Sequence, residues 1–237
     1  MKLIGYLSNG YPSMDKSREI ANCYANSGCD ILEIDFPDLN PYLENELISK
    51  RMLDALKQCS DYEQYMKNIM DIKKENPKAN IIIVVYESTV KAIGKEKFAD
   101  FLTENNLLDL IFVGLQSDEI KDYLIERGIK ISCYIQFHLP DDDIKYALRS
   151  NGFVYLQAKP SHGVKLKYQA LSDCIKYLRE RKINRAIYCG VGIHGINDIE
   201  MAKEAGADAV FIGTTFLNLY DDLVALSKII AEFKSHC

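Results

Sequence analysis

The sequence predicts an α/β chain folded as a closed TIM (β/α)8 barrel, a single domain over residues 1–237. Three observations carry that expectation. Short apolar runs alternate with longer amphipathic stretches, the mark of βαβ units and a parallel sheet. The alternation supplies eight strand candidates, and eight favour a closed barrel over an open doubly wound sheet of the same length. The 237 residues suit one such barrel, and no linker, low-complexity tract or shift of composition marks a second domain.

In chain order, the first strand is expected at 3–8 (LIGYLS), followed by an amphipathic helix at 14–27. ILEIDF gives the second strand at 31–36, and two helices fit before the next strand, at 45–57 and 62–75. IIIVVY gives the third at 81–86, with a helix at 94–106, and LIFV the fourth at 110–113. The fifth is expected at 131–136 with a helix at 141–149, and the sixth at 153–158 with a helix at 171–181. The seventh falls at 186–190 with a helix at 196–205, and the eighth at 209–213 with a closing helix at 220–234.

Composition narrows the function classes. Apolar residues make up 48% of the chain and charged residues 27%, ordinary for a globular protein with a large core. The net charge of -5, from 29 basic and 34 acidic residues, speaks against a nucleic-acid partner or an anionic membrane surface. Seven cysteines, an odd number without a C-x-x-C pair, support neither a disulfide framework nor a zinc knuckle and read as reduced thiols. The opening MKLIGYLSNGYP is too poor in apolar residues for a signal peptide, and no run reaches the length of a membrane helix, so a cytoplasmic location is expected. The four histidines share no ligand spacing, so no metal is expected.

In a barrel of this type the reacting groups stand at the C-terminal ends of the strands. In the second strand, alternation puts Ile31, Glu33 and Asp35 on one face and Leu32, Ile34 and Phe36 on the other. The wholly apolar set belongs against the helices, so Glu33 and Asp35 point into the barrel. A carboxylate there either caps a neighbouring strand or pairs with a lysine, or it holds its proton to high pH and serves as a general acid/base. The seventh and eighth strands end in glycine turns, Gly190-Val191-Gly192 and Gly213-Thr214. Backbone N–H groups at such turns cradle phosphate, so Gly192, Gly213 and Thr214 are candidate ligands of a phosphorylated small molecule. In the sixth strand Tyr155, Gln157 and Lys159 share a face. Lys159 at the rim is a Schiff-base candidate, a phosphate counter-charge or a solvated lysine.

The ordered set of these segments resembles the tryptophan synthase α subunit family. The resemblance rests on Tyr6-Leu7-Ser8-Asn9-Gly10-Tyr11-Pro12, on Asp30-Ile31-Leu32-Glu33-Ile34 through Pro37 and Pro41, and on Val85-Tyr86. It continues through Phe153-Val154-Tyr155-Leu156, Gly190-Val191-Gly192-Ile193 and Gly206-Ala207-Asp208-Ala209-Val210 to Gly213-Thr214. It implies a lyase that cleaves indole-3-glycerol phosphate to indole and glyceraldehyde 3-phosphate without a cofactor. It places Glu33 on the family's catalytic glutamate, Glu44 on its second carboxylate (an aspartate there), Tyr155 on a site tyrosine, and Gly192, Gly213 and Thr214 on phosphate-binding positions. Tyr86 and Gly163 fall on further site segments, and a tryptophan synthase β-type subunit is the implied partner. The chain departs from the family where Asp35 replaces a glycine and Leu166 a phosphate-contacting glycine, and in the loop Tyr42-Leu43-Glu44-Asn45-Glu46. Its first strand begins where the family carries a preceding helix. Two other readings stay open: a divergent phosphosugar aldolase or lyase using Lys159, and a non-catalytic module that binds a phosphorylated ligand or a partner.

Overall fold

The structure is a computed structural model that describes residues 1–114 and 118–237. Nine parallel strands form its sheet: β1 (Lys2–Leu7), β2 (Ile31–Asp35), β3 (Asn80–Tyr86), β4 (Asp109–Val113), β5 (Lys130–Ile131), β6 (Cys133–Ile135), β7 (Val154–Gln157), β8 (Ile187–Gly190) and β9 (Ala209–Ile212). Their order is β5-β4-β3-β2-β1-β9-β8-β7-β6. The two ends of that order are separated in sequence by Ser132 alone. The Ser132 amide donates to the Leu110 carbonyl at 2.9 Å, while the Cys133 amide donates to the Phe153 carbonyl at 3.1 Å. The expected fifth strand is therefore one extended segment that changes partner at Ser132 and closes the ring. Gly152 passes so near that a β-carbon on it would lie 2.5 Å from the Ile131 backbone, which only glycine tolerates.

Helices α1 (Met14–Ser27), α2 (Glu46–Gln58) and α3 (Tyr62–Glu75) lie outside the first strands, near the bounds the sequence predicts. Ser13 caps α1 through the Lys16 amide, and Asn45 caps α2 through the Ile48 amide. After β3 come α4 (Glu87–Ile93) and α5 (Lys95–Glu104); α4 is not anticipated by the sequence, nor is α6 (Glu119–Glu126). The second half holds α7 (Asp141–Arg149), α8 (Leu171–Glu180), α9 (Ile196–Glu204), the four-residue α10 (Thr214–Leu217) and α11 (Leu223–His236). The last helix starts three residues later than expected because Asp222 caps it through the Ala225 amide, which frees Tyr220 to turn into the core.

Alternation divides the apolar side chains into two layers. Ile4, Ile31, Ile82, Phe153, Ala209 and Phe211 fill the inside of the barrel, while residues such as Leu3, Leu32, Ile34 and Ile83 pack between strands and helices. Ile31 inside and Leu32 outside fix the parity of β2, so Glu33 and Asp35 point inward as predicted. All seven cysteines are free thiols. Among the described residues no helix is long and apolar enough to cross a membrane.

Candidate active site

The inner layer turns polar toward the C-terminal ends of β1 and β2. Tyr6 lies directly across from Glu33 in the β1–β2 register. Glu33 is only 6% exposed, and burial, with Glu44 and Asp35 nearby, pushes its carboxyl well above the usual carboxylate range. Asp35, also buried, accepts the Tyr6 hydroxyl at 2.5 Å and the Asn9 amide at 2.7 Å. Burial raises it to about 7, with those two hydrogen bonds and the Arg51 guanidinium working in the opposite direction. Alternation along β1 from Ile4 is the signal that would have revealed Tyr6; sequence reasoning passed over it.

Glu44 enters from the loop after β2. A turn in which its amide bonds to the Pro41 carbonyl, followed by the Asn45 cap of α2, delivers its side chain to the pocket. There the Tyr86 hydroxyl donates to it at 3.2 Å, and the Leu43 amide donates to the same hydroxyl at 3.3 Å. Burial raises the Glu44 carboxyl, and its charge in turn raises Glu33, Tyr6 and Tyr155. Glu33, Asp35, Glu44, Tyr6 and Tyr155 thus lie within electrostatic reach of one another, with Tyr86 hydrogen-bonded to Glu44. The same loop is fastened by Asp38, a buried carboxylate that accepts the hydroxyls of Ser88 (2.5 Å) and Thr89 (2.7 Å) in the first turn of α4. Nothing in the local sequence pattern singles out Asp38, because its partners come from 50 and 51 residues away.

Tyr155 forms the opposite wall. Its ring stacks on Phe211 at 4.3 Å and meets Tyr134 edge-on at 5.6 Å. A β-carbon at residue 190 would collide with its hydroxyl, so Gly190 is what allows that ring to lie where it does. Tyr134, 44% exposed, is a second site aromatic that sequence reasoning did not name.

The glycine turns form a separate corner. Val191 and Gly192 both have positive φ, 54° and 106°, and a β-carbon at 192 would lie 2.8 Å from that of Lys159. Gly213 precedes α10, whose first-turn N–H groups at Thr214 and Thr215 have no partner within the helix. The Thr215 hydroxyl donates to the His194 carbonyl at 3.2 Å and so joins the two turns. Lys159 lies beside them with its ammonium paired to Asp198, which also accepts the His194 amide at 2.8 Å. Gly163 sits exposed in the loop after β7 with φ of 76°.

Comparison with known proteins bears on this geometry. The family model described as tryptophan synthase alpha chain matches residues 1–233. The tryptophan synthase alpha chain of Methanosarcina mazei is 28% identical over 227 residues, covering 93% of this chain and 81% of that protein. That of Mycobacterium marinum is 29% identical over 238 residues, covering 97% and 87%. Among solved structures, tryptophan synthase subunit alpha from Campylobacter jejuni superposes with a TM-score of 0.81 at 25% identity, covering 98% of this chain and 95% of that one. Tryptophan synthase from M. tuberculosis, in its aminoacrylate-bound form, superposes with a TM-score of 0.83 at 22% identity, covering 99% and 92%. A match to the family along nearly all of its length, on a barrel with an acidic pocket at the strand ends, makes this chain a member of the tryptophan synthase alpha chain family.

Proposed function

We propose that Glu33 is the proton shuttle with which this chain performs the reaction of its family, cleavage of indole-3-glycerol phosphate to indole and glyceraldehyde 3-phosphate. The observation that carries the assignment is a carboxyl pointing into the barrel, 6% exposed, and held above the usual carboxylate range by burial. Such a group holds its proton to higher pH than an ordinary carboxylate, as a general acid needs.

Protonated Glu33 gives its proton to the indole carbon that bears the glycerol chain. The ring electron pair forms the new C–H bond, and the ring nitrogen becomes cationic. Glu44 accepts the hydrogen bond of that N–H and stabilises the cation. The Glu33 carboxylate then takes the proton of the adjacent glycerol hydroxyl. Those electrons form the aldehyde C=O as the carbon–carbon bond breaks, and the electrons of that bond return to the ring. Indole and the phosphorylated aldehyde leave, and Glu33 is again protonated. Tyr155, backed on one face by Phe211 and met edge-on by Tyr134, supplies aromatic surface suited to a planar ring. Gly192, Gly213 and Thr214 are the proposed hold on the phosphate, through backbone N–H groups and the Thr214 hydroxyl.

A tryptophan synthase β-type subunit is the proposed partner. The loop after β2 presents Leu39, Tyr42 and Leu43 to solvent, 76%, 45% and 66% exposed, on the face where the pocket opens. The Schiff-base reading of Lys159 has less support, because an ammonium paired with Asp198 is not a nucleophile. The test of the function is indole release from indole-3-glycerol phosphate by the purified chain. Release in step with glyceraldehyde 3-phosphate is expected; ligand binding without either product would favour a non-catalytic module.

A further inference from the structure

Two carboxylic acids on one inward face of one strand compete for a proton, and their surroundings differ in a way that decides the competition. Asp35 stands where the resemblance to the family implies a glycine. Both of its oxygens are engaged, one by the Tyr6 hydroxyl at 2.5 Å and the other by the Asn9 amide at 2.7 Å. Behind it lies Arg51 of α2, a buried guanidinium clasped between the rings of Tyr11 (4.7 Å) and Tyr220 (4.3 Å) and donating to the Leu217 carbonyl at 2.6 Å. Glu33, two residues earlier, has no hydrogen-bond donor to favour its charged form among the described residues, and its neighbours include Glu44 and Asp35 themselves.

We propose that Tyr6, the Asn9 amide and Arg51 make Asp35 the ionised member of the pair, so that Asp35 is a positioning residue whose charge keeps the proton on Glu33. The inference rests on the assignment of Glu33 as proton shuttle. Donors aimed at a carboxylate favour its charged form, and a fixed negative charge on the same face disfavours a second one. Burial raises both carboxyls, but Tyr6, the Asn9 amide and Arg51 act to lower Asp35, whereas the Glu44 and Asp35 charges beside Glu33 raise it further. The groups that face Asp35 are Tyr6 of β1, Asn9 of the following turn, Glu33 of β2, Glu44 of the next loop, Arg51 of α2, Tyr65 of α3, and Tyr220 between α10 and α11. Only Arg51 among them is cationic. The three tyrosines are all neutral across the working range, because burial raises each of them.

The test is a carboxyl titration by 13C NMR on the full chain with labelled glutamate, the Glu33 resonance being identified by its loss in Glu33→Gln. In the wild-type chain Glu33 is expected to stay protonated to a higher pH than Asp35, whose own carboxyl is followed in an aspartate-labelled sample. Asp35→Asn keeps the size and polarity of the side chain and removes the charge. Same-face neighbours on a strand lie roughly 7 Å apart, and at an effective dielectric of about 20 the loss of that charge lowers the Glu33 midpoint by about one to two pH units. Tyr6→Phe removes a donor to Asp35 and is expected to raise the Asp35 midpoint by about one pH unit; it carries the test where Asp35→Asn does not fold. A Glu33 midpoint unmoved in Asp35→Asn, an Asp35 midpoint unmoved in Tyr6→Phe, or a wild-type Glu33 that ionises before Asp35, overturns the proposal. Glu33→Gln assayed for turnover separates the two ideas: an active variant removes the shuttle assignment whatever the titration shows.

Discussion

Asp35 lies in a position that costs the fold free energy whenever it is charged. Its carboxyl moves from 3.8 to about 7 on folding. Because the folded value is the higher one, the native state binds the extra proton between about pH 4 and pH 7. Stability therefore falls as pH rises through that window, and the loss is complete above it. At about 1.4 kcal/mol per pH unit, the shift amounts to roughly 4 kcal/mol. Asp35→Asn removes the charge but leaves one of the two donors, Tyr6 or the Asn9 amide, with a poorer partner, which costs about 1–2 kcal/mol. A net gain of about 2 kcal/mol at pH 8 is expected, turning into a net loss of about 1 kcal/mol at pH 4. Urea unfolding of both proteins from pH 4 to pH 8 reads this as a difference between variant and wild type that grows with pH. Glu44, also raised by burial, leaves a slope common to both proteins, while the lower Glu33 midpoint expected in Asp35→Asn adds to the gain at high pH. A variant less stable than wild type at pH 8, or a difference flat with pH, would refute the reasoning.

Gly192→Val should raise the KM for a phosphorylated substrate at least tenfold, because its φ of 106° disfavours any side chain and a β-carbon meets Lys159; steady-state kinetics with inorganic phosphate as competitor would show it. Borohydride added during turnover should trap no adduct, and Lys159→Ala should keep the same carbon–carbon cleavage, since the ammonium is held by Asp198; a reduced covalent adduct at Lys159 would restore the aldolase reading. Glu44→Gln should lower kcat by about 10- to 100-fold with a smaller change in KM, as expected for a charge that acts on a cation formed during reaction. A typical β subunit should stimulate the wild-type chain only weakly, because the loop carrying Leu39, Tyr42 and Leu43 differs from the family pattern; sharp stimulation in the coupled assay would show that the altered loop still docks.

The period-two pattern was legible because strands such as β1, β2, β3 and β9 are buried on both faces over most of their length and each apolar run is short and bounded. From it followed the barrel, the inward pair Glu33 and Asp35, and the shared face of Tyr155, Gln157 and Lys159. What was not legible depended on partners remote in sequence. The change of partner at Ser132 is decided by where Leu110 and Phe153 lie. Helix α4 carries no hydrogen-bonded side chain at its own cap and is held instead by Asp38. The clamp on Asp35 spans 29 residues to Tyr6, and the ion pair that occupies Lys159 reaches Asp198 in α9. Alternation says which way a side chain points, but not which donor meets it there.

The most direct test of the central assignment is Glu33→Gln, assayed in parallel for turnover of indole-3-glycerol phosphate and for its binding. Glutamine keeps the length and polarity of the side chain but cannot shuttle a proton. The account predicts a loss in kcat of at least 1,000-fold with binding and fold retained, on the scale of general acid–base catalysis. Indole release within a few-fold of the wild-type rate by a folded Glu33→Gln protein would contradict it.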